Sequence, residues 1–423
     1  MDDGFNAIRY LSRANPDENG QGWSEPGNKL ASARWYASAQ TMPNGNIFVA
    51  SGSLNGLDPT VEANNNPTYE ILDAAGISNG KNIDLDILAN NQPYYMYPFI
   101  HLLSDGNLFI FVSKSAQVFS LAGNNVVRSL PDLSGDYRTY PNTGGSVLLP
   151  LSSANSWADD ILICGGGAYQ DITSPTDPTC GRIQPLADNP QWELDSMPEG
   201  RGMVEGTLLP DGTVVWLNGC NQGAQGFGLA TSPTLEALIY NPSLPKGQRW
   251  STGATSTIPR LYHSVALLLL DGTIMVAGSN PVEQPILQPV PNQVPSEDFV
   301  TEFRVEIYTP PYLQNNPTRP GDIALSTEIL RPGLTFSVEF TRLAQTQDIK
   351  VAMYHGGFVT HSVHMGHRML FLDIKDVKQD PDGHTKISIE MPLNGNVAPP
   401  GPYVLYVVCD GTPGIGQFVK VAR

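Results

Sequence analysis

The sequence predicts an all-β protein in two parts, a β-propeller over residues 1–308 followed by an immunoglobulin-like β-sandwich over 309–423. Three observations carry this expectation. Glycine (41) and proline (36) are abundant among 423 residues, while only 15% are charged. That balance suits short strands and tight turns rather than helical bundles. Pairs of short apolar runs flank a glycine turn at near-regular spacing. After Tyr308 the pattern changes, with proline-rich punctuation followed by β-branched runs.

The repeats define the propeller. Asn44-Gly45, Asp105-Gly106, Asp211-Gly212 and Asp271-Gly272 each precede a five-residue apolar run. A degenerate copy lies between them, where the runs 145–149 and 160–164 enclose a longer loop. The turns fall about 53 to 61 residues apart, the period of kelch-type blades, and each unit reads as a hairpin with one or two further strands. Residues 1–308 have room for roughly six blades at that period. An open ring would leave unpaired edges, so the first blade is expected to be incomplete. Beyond the punctuation at 309–313 and 318–321, the runs 334–340, 349–353 and 403–408 have the rhythm of a sandwich of about a hundred residues.

A formal net charge of −17 argues against nucleic acid and against an anionic membrane surface. No apolar run approaches the ~18 residues of a membrane span. The start, Met1 to Asn6, has neither a basic nor an apolar region and is not a signal peptide. Of the four cysteines, Cys164 and Cys180 bracket a polar, proline-containing loop, where a disulfide and two free thiols are both open. Cys409, in the apolar run 403–409, reads as a buried thiol.

Two copies of the repeat begin unusually. Arg34-Trp35-Tyr36 leads into the Gly45 turn and Arg260-Leu261-Tyr262-His263 into the Gly272 turn. Counted back from the glycines, the tyrosines match to within one residue. Equivalent positions on different blades face one another across the central channel, so the repeat brings two phenols and an imidazole to a shared point. Imidazole and phenolate together suit copper(II), and less specifically iron(III) or zinc. A bound cation lowers a phenol's pKa from its ordinary value near 10, which permits ligation at neutral pH. The bland alternative is two half-buried strand tyrosines and a satisfied core histidine. His355, His361, His364 and His367 also cluster in sequence. On a strand, 361 and 364 would face opposite ways, and His364 and His367 read as polar flanks.

These motifs resemble those of the glyoxal oxidases, copper-radical oxidases related to galactose oxidase. The resemblance covers essentially the whole chain. The stretch 260–272 with 276–281 looks like the family's axial-tyrosine and first-histidine signature, and 33–36 like the strand of its radical tyrosine. The motifs 218–226 and 308–313 match as well. Thr360-His361-Ser362-Val363 resembles the hairpin that brings the second histidine through the pore. The resemblance implies a seven-bladed propeller and a galactose oxidase-type early-set (E-set) domain. It also implies one copper ion held by Tyr36, Tyr262, His263 and His361. Tyr262 would be the axial base, and Tyr36 would carry a tyrosyl radical with Trp35 as its stacking partner. Substrates would be glyoxal- or methylglyoxal-type aldehydes, oxidised to acids while dioxygen becomes hydrogen peroxide. Ser53-Leu54-Asn55 stands where galactose oxidase has an aromatic shield, which favours the glyoxal oxidase branch.

One departure matters. The family cross-links its radical tyrosine to a cysteine in a preceding blade, and no cysteine precedes Tyr36 here. An N-terminally shortened copy of a secreted, monomeric enzyme is therefore expected, poorly active as written. The rivals are a catalytically silent kelch-propeller binding scaffold, a primary-alcohol oxidase of the same family, and a propeller glycosidase. The last has only a faint Asp-box at 208–216 and no carboxylate pair for acid–base work.

Overall fold

The computed structural model describes residues 5–11, 23–56, 58–169, 171–224, 228–280, 284–288, 300–342 and 345–423. The first four residues, the end of the 218–226 motif and position 281 lie outside these. Among the described residues nearly every element is a short strand, and almost all pairing is antiparallel.

The glycine turns repeat atom for atom. Gly45, Gly106, Gly212 and Gly272 have φ of 80°, 88°, 97° and 82°, a region that a residue with a Cβ seldom enters. Each glycine N–H donates to the carbonyl three residues back, on Met42, Leu103, Leu209 and Leu269. The preceding Asn44, Asp105, Asp211 or Asp271 side chain accepts the N–H two residues on, at 2.9–3.0 Å. Four copies of one local solution give four similar hairpins.

Around them, among the described residues, stand five blade sheets. The first four have four strands each, with inner strands Ser38–Thr41, Phe99–Leu102, Gly145–Leu148 and Glu205–Leu208. The fifth has three strands among the described residues, beginning with Ser264–Leu268. Length divided by period suggested about six. The difference arises ahead of Ser38, where the described residues contribute only the ribbon Tyr10–Leu11 with Trp23–Ser24. In the third blade Cys164 and Cys180 are cross-strand partners and form a disulfide. Cys220 and Cys409 are buried thiols.

The C-terminal residues form a sandwich. One sheet is built on Thr335–Thr341, which buries Phe336, Val338 and Phe340 alternately. The other is centred on Ile349–His355 and Gly401–Cys409. This second sheet takes in Leu151–Ser152 of the third blade, paired in parallel with Arg368–Phe371. The glycine turns seat on this domain. A Cβ at Gly45 would meet the Arg423 side chain, at Gly106 that of Asn396, at Gly212 that of Phe371, and at Gly272 that of Pro413. The starts of the inner strands therefore gather at the opposite mouth of the channel.

Arg368 fastens the two parts. It is almost wholly buried and donates to the carbonyls of Asn396 and Val397, both at 2.7 Å, and of Leu102 across the interface at 2.5 Å. His101 and His367 are buried beside it. Burial, with the Arg368 charge nearby, holds the His101 pKa down to about 3. Burial and neighbouring imidazoles hold His367 well below its ordinary value.

Replacing Arg368 by methionine should orphan three acceptors at about 1–3 kcal/mol each. A loss of at least about 3 kcal/mol is expected in urea unfolding, with Arg368→Lys recovering part of it. The histidines give a pH signature. Folded His101 stays neutral between about 3 and its ordinary 6.5, whereas the unfolded chain protonates there. The unfolded state then binds more protons, so stability is full above 6.5 and falls as pH drops through that window. A His101→Gln variant should show a shallower decline of the urea midpoint between pH 7 and pH 4.5 than the parent.

Candidate metal centre

Four of the five blades described begin with a corner, and the corners build the site. Tyr36, Tyr97, Met203 and His263 each lie nine residues before their turn glycine and have φ of 68°, 46°, 56° and 62°. The residue equivalent to Tyr36 is thus His263, not Tyr262. One extra residue between Arg260 and the corner makes room for a doublet. That resolves the one-residue mismatch between the two tyrosine motifs.

Buried arginines fix the starts of three blades. Arg34 donates from Nε to Glu70 at 2.6 Å and from Nη1 to the Ser51 and Thr68 carbonyls. Arg260 donates to Glu306 at 2.8 Å and to the Gly278 and Arg304 carbonyls. Arg138 donates to the Gly165 and Thr179 carbonyls and pairs with Asp177 at 3.0 Å. In each case the guanidinium ties the start of the blade to its later strands.

From the sandwich side a hairpin, Phe358–Thr360 with Val363–Met365, enters the ring and packs on the inner strands of the first three blades. Its tip is the two-residue turn His361-Ser362, with φ of 50° and 62°, the signature of a type I′ hairpin. His361 is therefore on a turn rather than a strand. His364 and His367 are not polar flanks: both are buried. His364 Nε2 is 2.6 Å from the Glu205 carboxylate, and His367 Nε2 accepts from the Leu208 N–H at 3.4 Å.

The four expected donors converge. Tyr36 Oη lies 3.0 Å from Tyr262 Oη, Tyr262 Oη 3.1 Å from His361 Nε2, and His361 Nε2 3.1 Å from His263 Nε2. A metal–donor bond of about 2.0–2.1 Å puts donors at right angles about 2.9 Å apart, so the edges of this set suit one ion. No group of three or more His, Cys, Asp or Glu side chains suited to a metal occurs among the described residues. Here half of the donors are phenols. Burial and the neighbouring phenols hold the Tyr262 and Tyr140 hydroxyls well above their ordinary pKa. Burial, then His263, brings His361 down to about 3, so its imidazole is neutral at pH 7.

Two further rings belong to the site. Tyr97 stacks on Tyr36 with centroids 4.8 Å apart and a 30° tilt, and its N–H donates to the Tyr36 carbonyl at 3.1 Å. Tyr140 meets Tyr36 edge-on at 4.7 Å and brings its Oη within 3.5 Å of Tyr262 Oη. Trp35, expected to stack, instead meets Tyr36 edge-on at 5.8 Å and exchanges backbone hydrogen bonds with Ser53. Sequence reasoning missed Tyr97 although the count that matched Tyr36 reaches it from Gly106. Tyr140 had a different signal, Arg138-Thr139-Tyr140, which repeats the Arg34-x-Tyr36 spacing.

Comparison with known proteins agrees with this architecture. Residues 1–312 match the family model for the glyoxal oxidase N-terminus, and 319–421 that for the galactose oxidase-like early-set domain. An aldehyde oxidase (GLOX1) of Arabidopsis thaliana is 33% identical, the match covering 99% of this chain and 68% of the relative. An aldehyde oxidase (GLOX) of Vitis pseudoreticulata is 34% identical over 93% of this chain and 73% of that protein. A galactose oxidase of Gibberella zeae is 24% identical, over 96% of this chain and 57% of its own length. In structure, a copper-bound fungal alcohol oxidase of the AA5 family superposes with a TM-score of 0.73 at 21% identity. That match covers 96% of this chain and 79% of the neighbour, and the likeness is one of fold. By sequence and by architecture, the chain belongs to the glyoxal oxidase family of oxidases.

Proposed function

We propose that this chain is a copper-radical oxidase that converts small aldehydes of the glyoxal and methylglyoxal type to carboxylic acids while reducing dioxygen to hydrogen peroxide. The observation that carries the proposal is the meeting of Tyr36, Tyr262, His263 and His361, from three distant stretches, with donor atoms 3.0–3.1 Å apart. Aldehydes are favoured over sugar alcohols because the plant aldehyde oxidases match at 33–34% and the galactose oxidase at 24%.

Copper, when bound, would exchange one electron, and an oxidised Tyr36 side chain the second that the aldehyde hydrate must lose. The remaining work falls to the protein. His263 and His361 would bind through Nε2, with Tyr36 and Tyr262 as the phenolic donors. With copper bound, which lowers a phenol's pKa, Tyr262 would be a phenolate, and its Oη, at the centre of the set, would be the atom to receive the substrate's hydroxyl proton. Tyr140 Oη, 3.5 Å away, can share that proton. The two electrons and two protons leaving the hydrate balance the reduction of one dioxygen to one peroxide. A secreted location fits the Cys164–Cys180 disulfide, since such bonds persist in oxidising compartments.

Loading with copper(II) and desalting should leave about one ion per chain by metal analysis, and His361→Ala should abolish that retention. A parent chain that keeps no copper, or a His361→Ala chain that keeps as much, would refute the site. Peroxide release with methylglyoxal should fall by about 10²–10⁴-fold in Tyr262→Phe, the usual contribution of a proton-transfer group. No cysteine precedes Tyr36 in these 423 residues, so turnover by the parent should be well below that of the two plant aldehyde oxidases in the same assay. Equal rates would remove the need for a thioether at Tyr36.

A further inference from the structure

Resting on the metal-site reading above, we infer that Tyr97 is a positioning residue, which holds the His361 imidazole through Thr360 while its ring braces Tyr36. The argument begins with the hairpin tip. A neutral imidazole that offers Nε2 to a metal must carry its proton on Nδ1. His361 Nδ1 lies 2.7 Å from Thr360 Oγ1, so the Nδ1–H donates to that hydroxyl. The threonine hydroxyl has one hydrogen of its own to give, and its acceptor would be the hydroxyl of Tyr97, whose ring packs on that of His361 with centroids 4.8 Å apart. The inferred path thus runs from His361 Nδ1–H to Thr360 Oγ1, and would continue from the Thr360 O–H to Tyr97 Oη.

The Tyr97 ring meets both ends of the donor set. Its centroid is 4.8 Å from that of Tyr36 and 4.8 Å from that of His361. It comes from the second blade, whereas Tyr36 comes from the first and His361 from the sandwich domain. A single side chain therefore ties two donors from separate parts of the fold. Tyr97 is itself fixed by its corner and by the hydrogen bond from its N–H to the Tyr36 carbonyl. The effect should be large for a residue that touches no metal. Partners of a ligating histidine set its tautomer and ring angle, and losing one weakens metal binding by about 10–100-fold.

The test is a titration of the metal-free 423-residue chain with copper(II) against a competing chelator, with the copper(II) paramagnetic resonance spectrum as a second readout. Tyr97→Phe, which keeps the ring and removes the hydroxyl, and Thr360→Val should each raise the copper Kd at least about 10-fold. Because they interrupt one path, the double variant should bind no more weakly than the worse single variant, and Thr360→Ser should restore parental affinity. Tyr97→Leu, which also removes the ring, should further change the copper spectrum relative to Tyr97→Phe. Circular dichroism checks folding, and if Tyr97→Phe does not fold, the Thr360→Val and Thr360→Ser pair decides alone. A Kd within twofold of the parent in Tyr97→Phe or Thr360→Val, or losses that multiply in the double variant, would overturn the inference. His361→Ala separates the two ideas. If it binds copper as the parent does, the site reading fails; if it loses binding while Tyr97→Phe and Thr360→Val do not, only the positioning role fails.

Discussion

The centre of the ring has to be filled, and this one requirement organises the molecule. Inner strands from several blades line a channel, and a strand pair pushed into it must bring its own hydrogen bonds. The hairpin 358–365 satisfies this by pairing Phe358–Thr360 with Val363–Met365. It then uses side chains for the remainder. The buried Glu205 carboxylate accepts from the Ala266 N–H at 2.6 Å and faces His364 Nε2 at the same distance. Ala39 N–H donates to the Met365 sulfur at 3.3 Å. With the hairpin so fixed, its tip can go to only one place, the mouth where the corners of the blades meet.

Those corners are rigid because their arginines are. A buried guanidinium without partners would be prohibitive, and one with a carboxylate and two or three carbonyls is held in a single pose. Arg34 and Arg260 each satisfy a carboxylate and two carbonyls. The blade following Arg201 is the contrast. There Thr234 Oγ1 already serves the Asn218 and Gly219 carbonyls, and Arg201 Nε and Nη1 lack partners. That blade presents Met203 at its corner, and none of the four candidate donors comes from it. Donors cluster where the arginine clamp is complete.

Much of this was legible in the sequence, and the reason is mechanical. The Asn/Asp-Gly turn is a local structure with a local cause, so its period could be counted, and counting back located Tyr36 and the Tyr262-His263 doublet. What escaped was register. Whether Tyr262 or His263 matches Tyr36 depends on one inserted residue, which is visible only when Val265 is seen opposite Ala277 as Ser38 is opposite Ala50. Tyr140 escaped because its blade has lost the glycine turn. His361 was identified by resemblance, but its placement on a turn could not be read from Thr-His-Ser-Val. Both turn positions have positive φ, yet neither carries the Asn or Gly that would announce it. His364 and His367 read as polar flanks because their partners are a carboxylate and an N–H from a blade more than 150 residues away.

The chemistry of the donors explains how they can be packed so closely. Carboxylates packed 3 Å apart in a buried channel would repel one another or take up protons. Phenols and neutral imidazoles carry no such repulsion, and they can satisfy one another. Tyr262 Oη alone has Tyr36, Tyr140 and His361 within 3.5 Å. The set therefore folds without electrostatic penalty. Its cost lies in backbone strain, since Tyr36, His263 and His361 all have positive φ, at about 1–2 kcal/mol each. That strain is offset by clamps and ring contacts outside the donor set. The donor geometry is thus a property of the scaffold, fixed by groups that lie outside the donor set.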